Sequence, residues 1–226
     1  MQSENTQLTA TLRSKILSFL PADLPVTGLE GEKVLLARVA DASNQNPIET
    51  FWQLVHFYRI AEKNDLACKL INHMLAADDS AENRAHCYLV LGQIAEVREQ
   101  FDAAIDFYTR GLTFRTPDKI VKYFLYNNTA YCLNVQEKYR AAENYCRWAI
   151  YINPARANAF KNLGISLAAQ NNPVGAAWAY VEAMQAEPGD LRAFHLLKTL
   201  VVGHPELGPQ FALLLNNDEP EHTKEN

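Results

Sequence analysis

Residues 157–188 read ANAFKNLGISLAAQNNPVGAAWAYVEAMQAEP. Phe160, Leu163, Gly164 and Leu167 fall at i, i+3, i+4 and i+7, which is one face of a helix. Asn172-Pro173 then interrupts, an N-cap residue followed by proline at the first helical position. Ala176, Tyr180, Ala183 and Met184 follow at helical spacing, and Glu187-Pro188-Gly189 closes the unit. Two short helices with one apolar face each cannot bury those faces alone. The small residues Gly164, Ala176 and Ala183 let two backbones approach closely. Phe160, Leu167 and Tyr180 fill the space around them.

The unit recurs. Stepping back 34 residues gives Tyr126, Thr129-Ala130, Leu133, Ala142, Cys146, Ala149 and Pro154. A further 38 back gives Tyr88, Leu91-Gly92, Ala95, Ala104, Tyr108 and Gly111. An aromatic, Leu-Gly, a large apolar residue, then Ala, an aromatic and Pro over about 34 residues resembles the tetratricopeptide repeat. The resemblance covers residues 85–190. It implies an all-α fold, a right-handed superhelical solenoid of antiparallel helix pairs, and a protein whose work is to bind other proteins. It does not name the partner.

The rest of the chain is read outward from these three units (85–118, 123–156 and 157–190). Leu8, Leu12, Ile16 and Leu20 repeat every four residues and predict a short amphipathic helix, and Gly31 to Ala42, with Val34, Leu35, Leu36 and Val39, predicts a second. Residues 1–46 are thus a polar tail and helical extension. Asn46-Pro47-Ile48-Glu49 is a helix start with a capping box. Residues 47–84 have the length of a repeat but no Leu-Gly, and read as a degenerate repeat or N-terminal cap, which is expected to depart from the pattern. Thr116-Pro117 is expected to start the first helix of the second unit, lengthened by about one turn. Residues 191–216 read as capping helices, with Lys198 where glycine would stand. Residues 217–226 form an acidic tail expected to be disordered.

Composition narrows the function classes. The 226 residues carry a net charge of −5, with no dominant basic face, so no nucleic-acid partner is expected. No apolar run approaches the length of a membrane span. The opening residues lack the basic start and apolar core of a signal peptide, so a cytoplasmic setting is expected. Cys68, Cys87, Cys132 and Cys146 have no CxxC spacing and read as reduced and structural. The six histidines include no HExxH pair, and His56 and His73 could meet only across the degenerate repeat. No nucleophile or nucleotide motif is present. The reading is not an enzyme, with no cofactor and no metal; an enzyme with an unrecognised site is the distant alternative.

The informative residues lie on the face of each first helix opposite the packed one. Counting from Ala85, Tyr123 and Ala157, positions 2, 5, 9 and 12 point that way at about 100° per residue. By the resemblance, this face lines a concave groove. The first unit contributes His86, Leu89, Gln93 and Glu96. The second contributes Phe124, Asn127, Tyr131 and Asn134, and the third Asn158, Lys161, Ile165 and Ala168. The cap helix adds Arg192 and His195, and Lys122 stands on the overhang. Asparagine amides donate and accept at once, which suits a peptide backbone. Asn128 and Asn162 read as residues that serve the fold.

The groove is therefore expected to take a protein or peptide with apolar side chains and a carboxylate, the latter for Lys161 and Arg192. A secretion or assembly chaperone is the alternative to an adaptor. Some family members clamp a chaperone's C-terminal carboxylate with Lys and Asn at positions 5 and 9. Here those positions hold Leu89 and Gln93, Asn127 and Tyr131, then Lys161 and Ile165, so that clamp is not expected. The apolar stripe of residues 8–20 is expected to pack on the chain or on a dimer mate.

Overall fold

The computed structural model describes residues 27–41 and 46–215. The expected helix at 8–20, any homodimer made through it, and the tail at 217–226 lie outside these. Among the described residues every regular element is helical. Helix α1 (Glu30–Ala40) precedes four pairs: α2 (Pro47–Ile60) with α3 (Asn64–Ala77), α4 (Ala81–Val97) with α5 (Phe101–Leu112), α6 (Lys119–Val135) with α7 (Tyr139–Ile152), and α8 (Ala157–Ala169) with α9 (Pro173–Ala186). Then come α10 (Leu191–Gly203), a 3-10 turn (Pro205–Leu207) and α11 (Gly208–Leu215). Each helix packs on the next, and α4, α6, α8 and α10 also touch in series. The first helices therefore stand side by side and form one inner face of an all-α solenoid.

Short-range chemistry sets the helix ends. Asn46 accepts from Glu49 N at 3.4 Å and its amide donates to Glu49 Oε2 at 2.6 Å. Asn172 accepts from Gly175 N at 3.0 Å. The start of α6 differs from expectation by a step: Asp118, not Thr116-Pro117, is the cap, accepting from Ile120 N and Val121 N at 2.7 and 3.1 Å. A carboxylate two or three residues upstream of free amides is the better acceptor. The other end of each first helix is closed by a left-handed residue: Glu62, Glu99, Glu137 and Asn171, with φ of 58, 56, 59 and 59°. The next amide reaches back five residues, from Lys63 to Tyr58, Gln100 to Ala95, Lys138 to Leu133 and Asn172 to Leu167, at 2.7 to 2.9 Å. This is the Schellman closure, usually made with glycine.

The four turns align the four pairs. Seven residues before each left-handed residue stand Val55, Gly92, Ala130 and Gly164; sixteen after those stand Ile71, Tyr108, Cys146 and Tyr180. All eight are buried. A methyl on Gly92 or Gly164 would overlap the ring of Tyr108 or Tyr180. Where the first helix carries a methyl, at Ala130, the facing residue is the smaller Cys146, in the same core cluster. A larger residue on the first helix goes with a smaller one facing it, which limits overlap at the crossing. In the first pair the same places hold two branched residues, Val55 and Ile71, of one core cluster. There α2 and α3 touch over less of their length, and α2 stands off from α4.

Two further contacts position the ends. Glu32 of α1 is fully buried, taking Tyr58 OH at 2.6 Å, Thr27 Oγ1 at 2.8 Å and Gly28 N at 3.0 Å. Phe211 of α11 is buried against Trp178, ring centroids 5.5 Å apart, so the last helix packs back on α9 despite Lys198.

Candidate functional site

A pocket of about 390 Å³ opens on the inner face between α4, α6, α8 and α10. Six residues expected in the groove line it: Asn127, Tyr131, Asn158, Lys161, Ile165 and Arg192. Glu96, also named by its position, joins them, together with Asn128, Asn162 and Leu196. Tyr131 is 40% exposed and provides the largest open apolar surface there.

The floor of the pocket is a hydrogen-bonded relay that crosses three repeats. Tyr108 OH donates to Glu96 Oε2 at 2.7 Å, and Asn128 Nδ2 reaches Tyr108 OH at 3.4 Å. Asn127 Nδ2 donates to Asn128 Oδ1 and Asn162 Nδ2 to Asn127 Oδ1, each at 3.1 Å. Asn134 Nδ2 donates to the Asn162 carbonyl at 2.9 Å and accepts from Ser166 Oγ at 2.7 Å. Asn127 and Asn134 are buried. They were expected to face a partner; their amides instead tie α6 to α8, because buried amides need partners and the neighbouring repeat supplies them. Asn128 and Asn162 serve the fold as expected, and they line the pocket as well. Burial raises the Glu96 carboxyl above its usual value, against hydrogen bonds from Tyr108 and Cys132 and the field of Arg59.

The cations also differ from expectation. Lys161 is 6% exposed and paired with Asp190. Arg192 grips the same carboxylate, Nε to Oδ1 at 2.8 Å and Nη2 to Oδ2 at 2.7 Å. Those Arg192 hydrogen bonds hold the Asp190 carboxyl far below the usual range; burial opposes them and Lys161 adds to them. Asp190 also caps α10 through Arg192 N at 3.0 Å. Asp190 stands at none of the inner-face positions of a first helix. Its place after Pro188-Gly189 marks a cap, but nothing local marks a counter-ion for a lysine 29 residues earlier.

The remaining six expected residues lie elsewhere. Leu89 is 4% exposed, packed in the core with Tyr108, Val121 and Leu125. Its helix α4 lies against α6, so position 5 points into their seam. Asn134 lies below the pocket in the relay. Phe124 packs on Tyr123 at 5.4 Å and under the Arg156 guanidinium at 5.0 Å. Lys122 is half-buried outside the pocket, and His195 is exposed on α10, edge-on to Phe194 at 5.8 Å. Gln93 lines a separate cleft.

That cleft, about 660 Å³, lies between α2 and α4 and is lined by His56, Arg59, Ile60, Glu62, Asn64, Gln93, Ile94 and Val97. A smaller one of about 320 Å³ adjoins it, sharing His56 and Arg59 and walled by Trp52, Val55, His86 and Val90. Trp52 and His86 stack at 3.9 Å. Burial, with Arg59 adding and Asp118 opposing, brings the His86 pKa down to about 4, so this ring is neutral at neutral pH. Among the described residues no group of three or more His, Cys, Asp or Glu is placed to hold a metal ion. No helix among them is long and apolar enough to cross a membrane.

No sequence-family model and no curated protein matches the chain. Solved structures do. The first TPR of Spaghetti (RPAP3) bound to the HSP90 peptide SRMEEVD is similar at 22% identity and TM-score 0.50, covering 55% of this chain and 95% of that one. MamA from Desulfovibrio magneticus RS-1 is similar at 14% identity and TM-score 0.59, covering 76% and 97%. YrrB, described as a TPR protein with an unusual peptide-binding site, is similar at 16% identity and TM-score 0.56, covering 85% and 88%. With its paired helices, repeated Schellman turns and Gly–Tyr crossings, the chain has the tetratricopeptide-repeat fold.

Proposed function

We propose that this protein is an interaction adaptor that holds an extended segment of a partner protein against its inner face. The observation that carries the reading is the pocket around Tyr131. An exposed aromatic ring stands there beside the half-buried Ile165 and Leu196. Apolar groups grouped in this way favour a partner that covers them. Asn158 lies beside them and suits a peptide backbone. The partner's carboxylate meets the open edge of Arg192, while Lys161 keeps Asp190. The peptide held by the similar RPAP3 domain supports a peptide as the class of partner. Leu89 and Gln93 stand where a chaperone-tail clamp needs Lys and Asn, so this peptide is not expected to bind here in that manner. Four free thiols fit a cytoplasmic setting.

Affinity capture with the full chain, read by mass spectrometry, tests the proposal. Partners are expected to be retained by the wild type and lost by Tyr131→Ala combined with Ile165→Asp, with the melting temperature kept. One dominant client at equal amounts would turn the adaptor into a dedicated chaperone. Undiminished capture by the double variant would remove the Tyr131 pocket as the partner site. Loss on Trp148→Ala with Tyr151→Ala, an exposed aromatic pair on α7, would move the site to the outer side.

A further inference from the structure

Arg59 is a cation of the inner face whose charge is not matched. Among the described residues it has no hydrogen bond and no ion pair; Tyr108 and Glu96 act on it only through space. Burial lowers its pKa, so its charge is held at a cost. Lys161 and Arg192, at the other end of the face, share Asp190. A half-buried guanidinium without an acceptor is a carboxylate site in waiting, since five donors in a fixed fork match that group.

The surroundings define what the carboxylate must be attached to. Arg59 lies where the two clefts between α2 and α4 meet. On one side are Trp52, Val55 and Val90, and on the other Ile60, Ile94 and Val97. Ile60 and Val97 are 71% and 72% exposed. His86 is neutral and stacked on Trp52, so it adds no charge. Glu96 opens into the Tyr131 pocket and lines neither cleft. Glu49 at the rim is held by Asn46, and Glu62 sits in the turn beyond α2. The gap exists because α2 stands off from α4, unlike the later first helices.

We propose that the α2–α4 gap is a second binding site of the inner face, for a partner segment with an acidic side chain between two apolar ones. The carboxylate meets Arg59 and the apolar side chains enter the clefts on either side. In an extended chain alternate residues share a face, so the fitting pattern is apolar-x-acidic-x-apolar. The proposal rests on the inner face being the partner surface and extends that surface past Gln93 to α2.

The test uses three capped or uncapped peptides and the tryptophan indole signals of the 15N-labelled full chain. Trp52 lies in the gap, while Trp148 and Trp178 lie outside it. Acetyl-Leu-Ser-Glu-Ser-Leu-amide is expected to shift the Trp52 indole saturably. The same peptide with Gln for Glu is expected to bind about tenfold more weakly, the loss of one charge-assisted contact. Arg59→Gln should abolish the difference between the two peptides, and Arg59→Lys should keep part of it. The wild-type comparison needs no variant to fold. Equal response to Glu and Gln peptides overturns the proposal, as does a response confined to Trp148 or Trp178. Tighter binding of the Gln peptide with a free C-terminus assigns the site to chain ends and overturns it too. If Trp52 responds as expected while the Tyr131 and Ile165 variant still captures partners, the pocket reading fails and this site stands. If capture is lost on that variant but Trp52 does not distinguish the peptides, only this site fails.

Discussion

The α2–α3 and α8–α9 pairs have the same turn and the same spacing, yet they do not pack alike. At the α8–α9 crossing a glycine meets the buried ring of Tyr180, and the helices touch along their length. In the α2–α3 pair Val55 and Ile71 hold those places, and the helices touch over less of their length. Charge follows packing. Beyond α8, Asp190 folds over Lys161 and Arg192 and ties α8 to α10. Beyond α2 no acid among the described residues pairs with Arg59, and two clefts remain. Close crossings stack the repeats so that their charges find each other; a wide crossing leaves a charge and a gap.

The largest expected effect comes from breaking the close crossing. Gly164→Leu should cost about 3 kcal/mol, since Tyr180 has no room to yield. Val55→Leu, at the equivalent place in α2, should cost under about 1.5 kcal/mol. Denaturant titration of both variants checks the contrast, and equal losses would mean that the crossings are alike.

The second repeat offers an exchange. Cys146→Tyr alone should cost about 2 kcal/mol by overpacking Ala130. Adding Ala130→Gly should recover more than half of that, because it rebuilds the Gly–Tyr crossing. A double-mutant cycle reads the coupling directly. If the two changes simply add, the volume matching is not what joins these helices.

Charge sharpens the comparison next. Asp190→Asn keeps the cap of α10 but removes the counter-ion of Lys161, and should cost about 1.5 kcal/mol at neutral pH. The folded carboxyl titrates far below its ordinary value of 3.8. Its contribution is therefore whole above about pH 4 and is lost as pH falls from there. Melting curves of wild type and variant should converge in acid, and a gap that stays constant down to pH 2 would refute the pairing. Arg59→Gln should alter the pH dependence of stability less, since Arg59 pairs with no acid among the described residues and acts on Glu96 only through its field.

The smallest effect should be the same at both ends. Glu62, Glu99 and Glu137 hold the left-handed backbone at each turn, a conformation that costs non-glycine residues about 1–2 kcal/mol. Glycine at these places should gain about 0.5 kcal/mol after its own entropic cost. Glu137→Gly and Glu62→Gly should raise the melting temperature alike. A gain at one end alone would show that the turns differ as the crossings do.

How much was legible follows from range. Gly92 and Gly164 could be found because a helix interior disfavours glycine, and Ala130 because the spacing repeats. The crossing in α2 could not, because Val55 looks like any core residue until Glu62 fixes the register. Glutamate is not a turn residue by chemistry, so the closures at Glu62, Glu99 and Glu137 were hidden as well. In the pocket, Tyr131, Ile165 and Arg192 were within reach of helical geometry. Leu89 and Asn134 were not, since both point into a seam with the next repeat.

What the sequence determined by itself is the paired-helix architecture, the Asn46 and Asn172 caps and the close crossings. These depend on residues a few positions apart or at a fixed period, where sterics and capping act on every chain alike. Only the tertiary structure decided which inner-face groups remain available. Asp190 spends the charge of Lys161, the asparagine relay consumes amides that local geometry left free, and the wide α2–α3 crossing exposes Arg59. Each outcome depends on a neighbour from another repeat, whose arrival no single helix encodes.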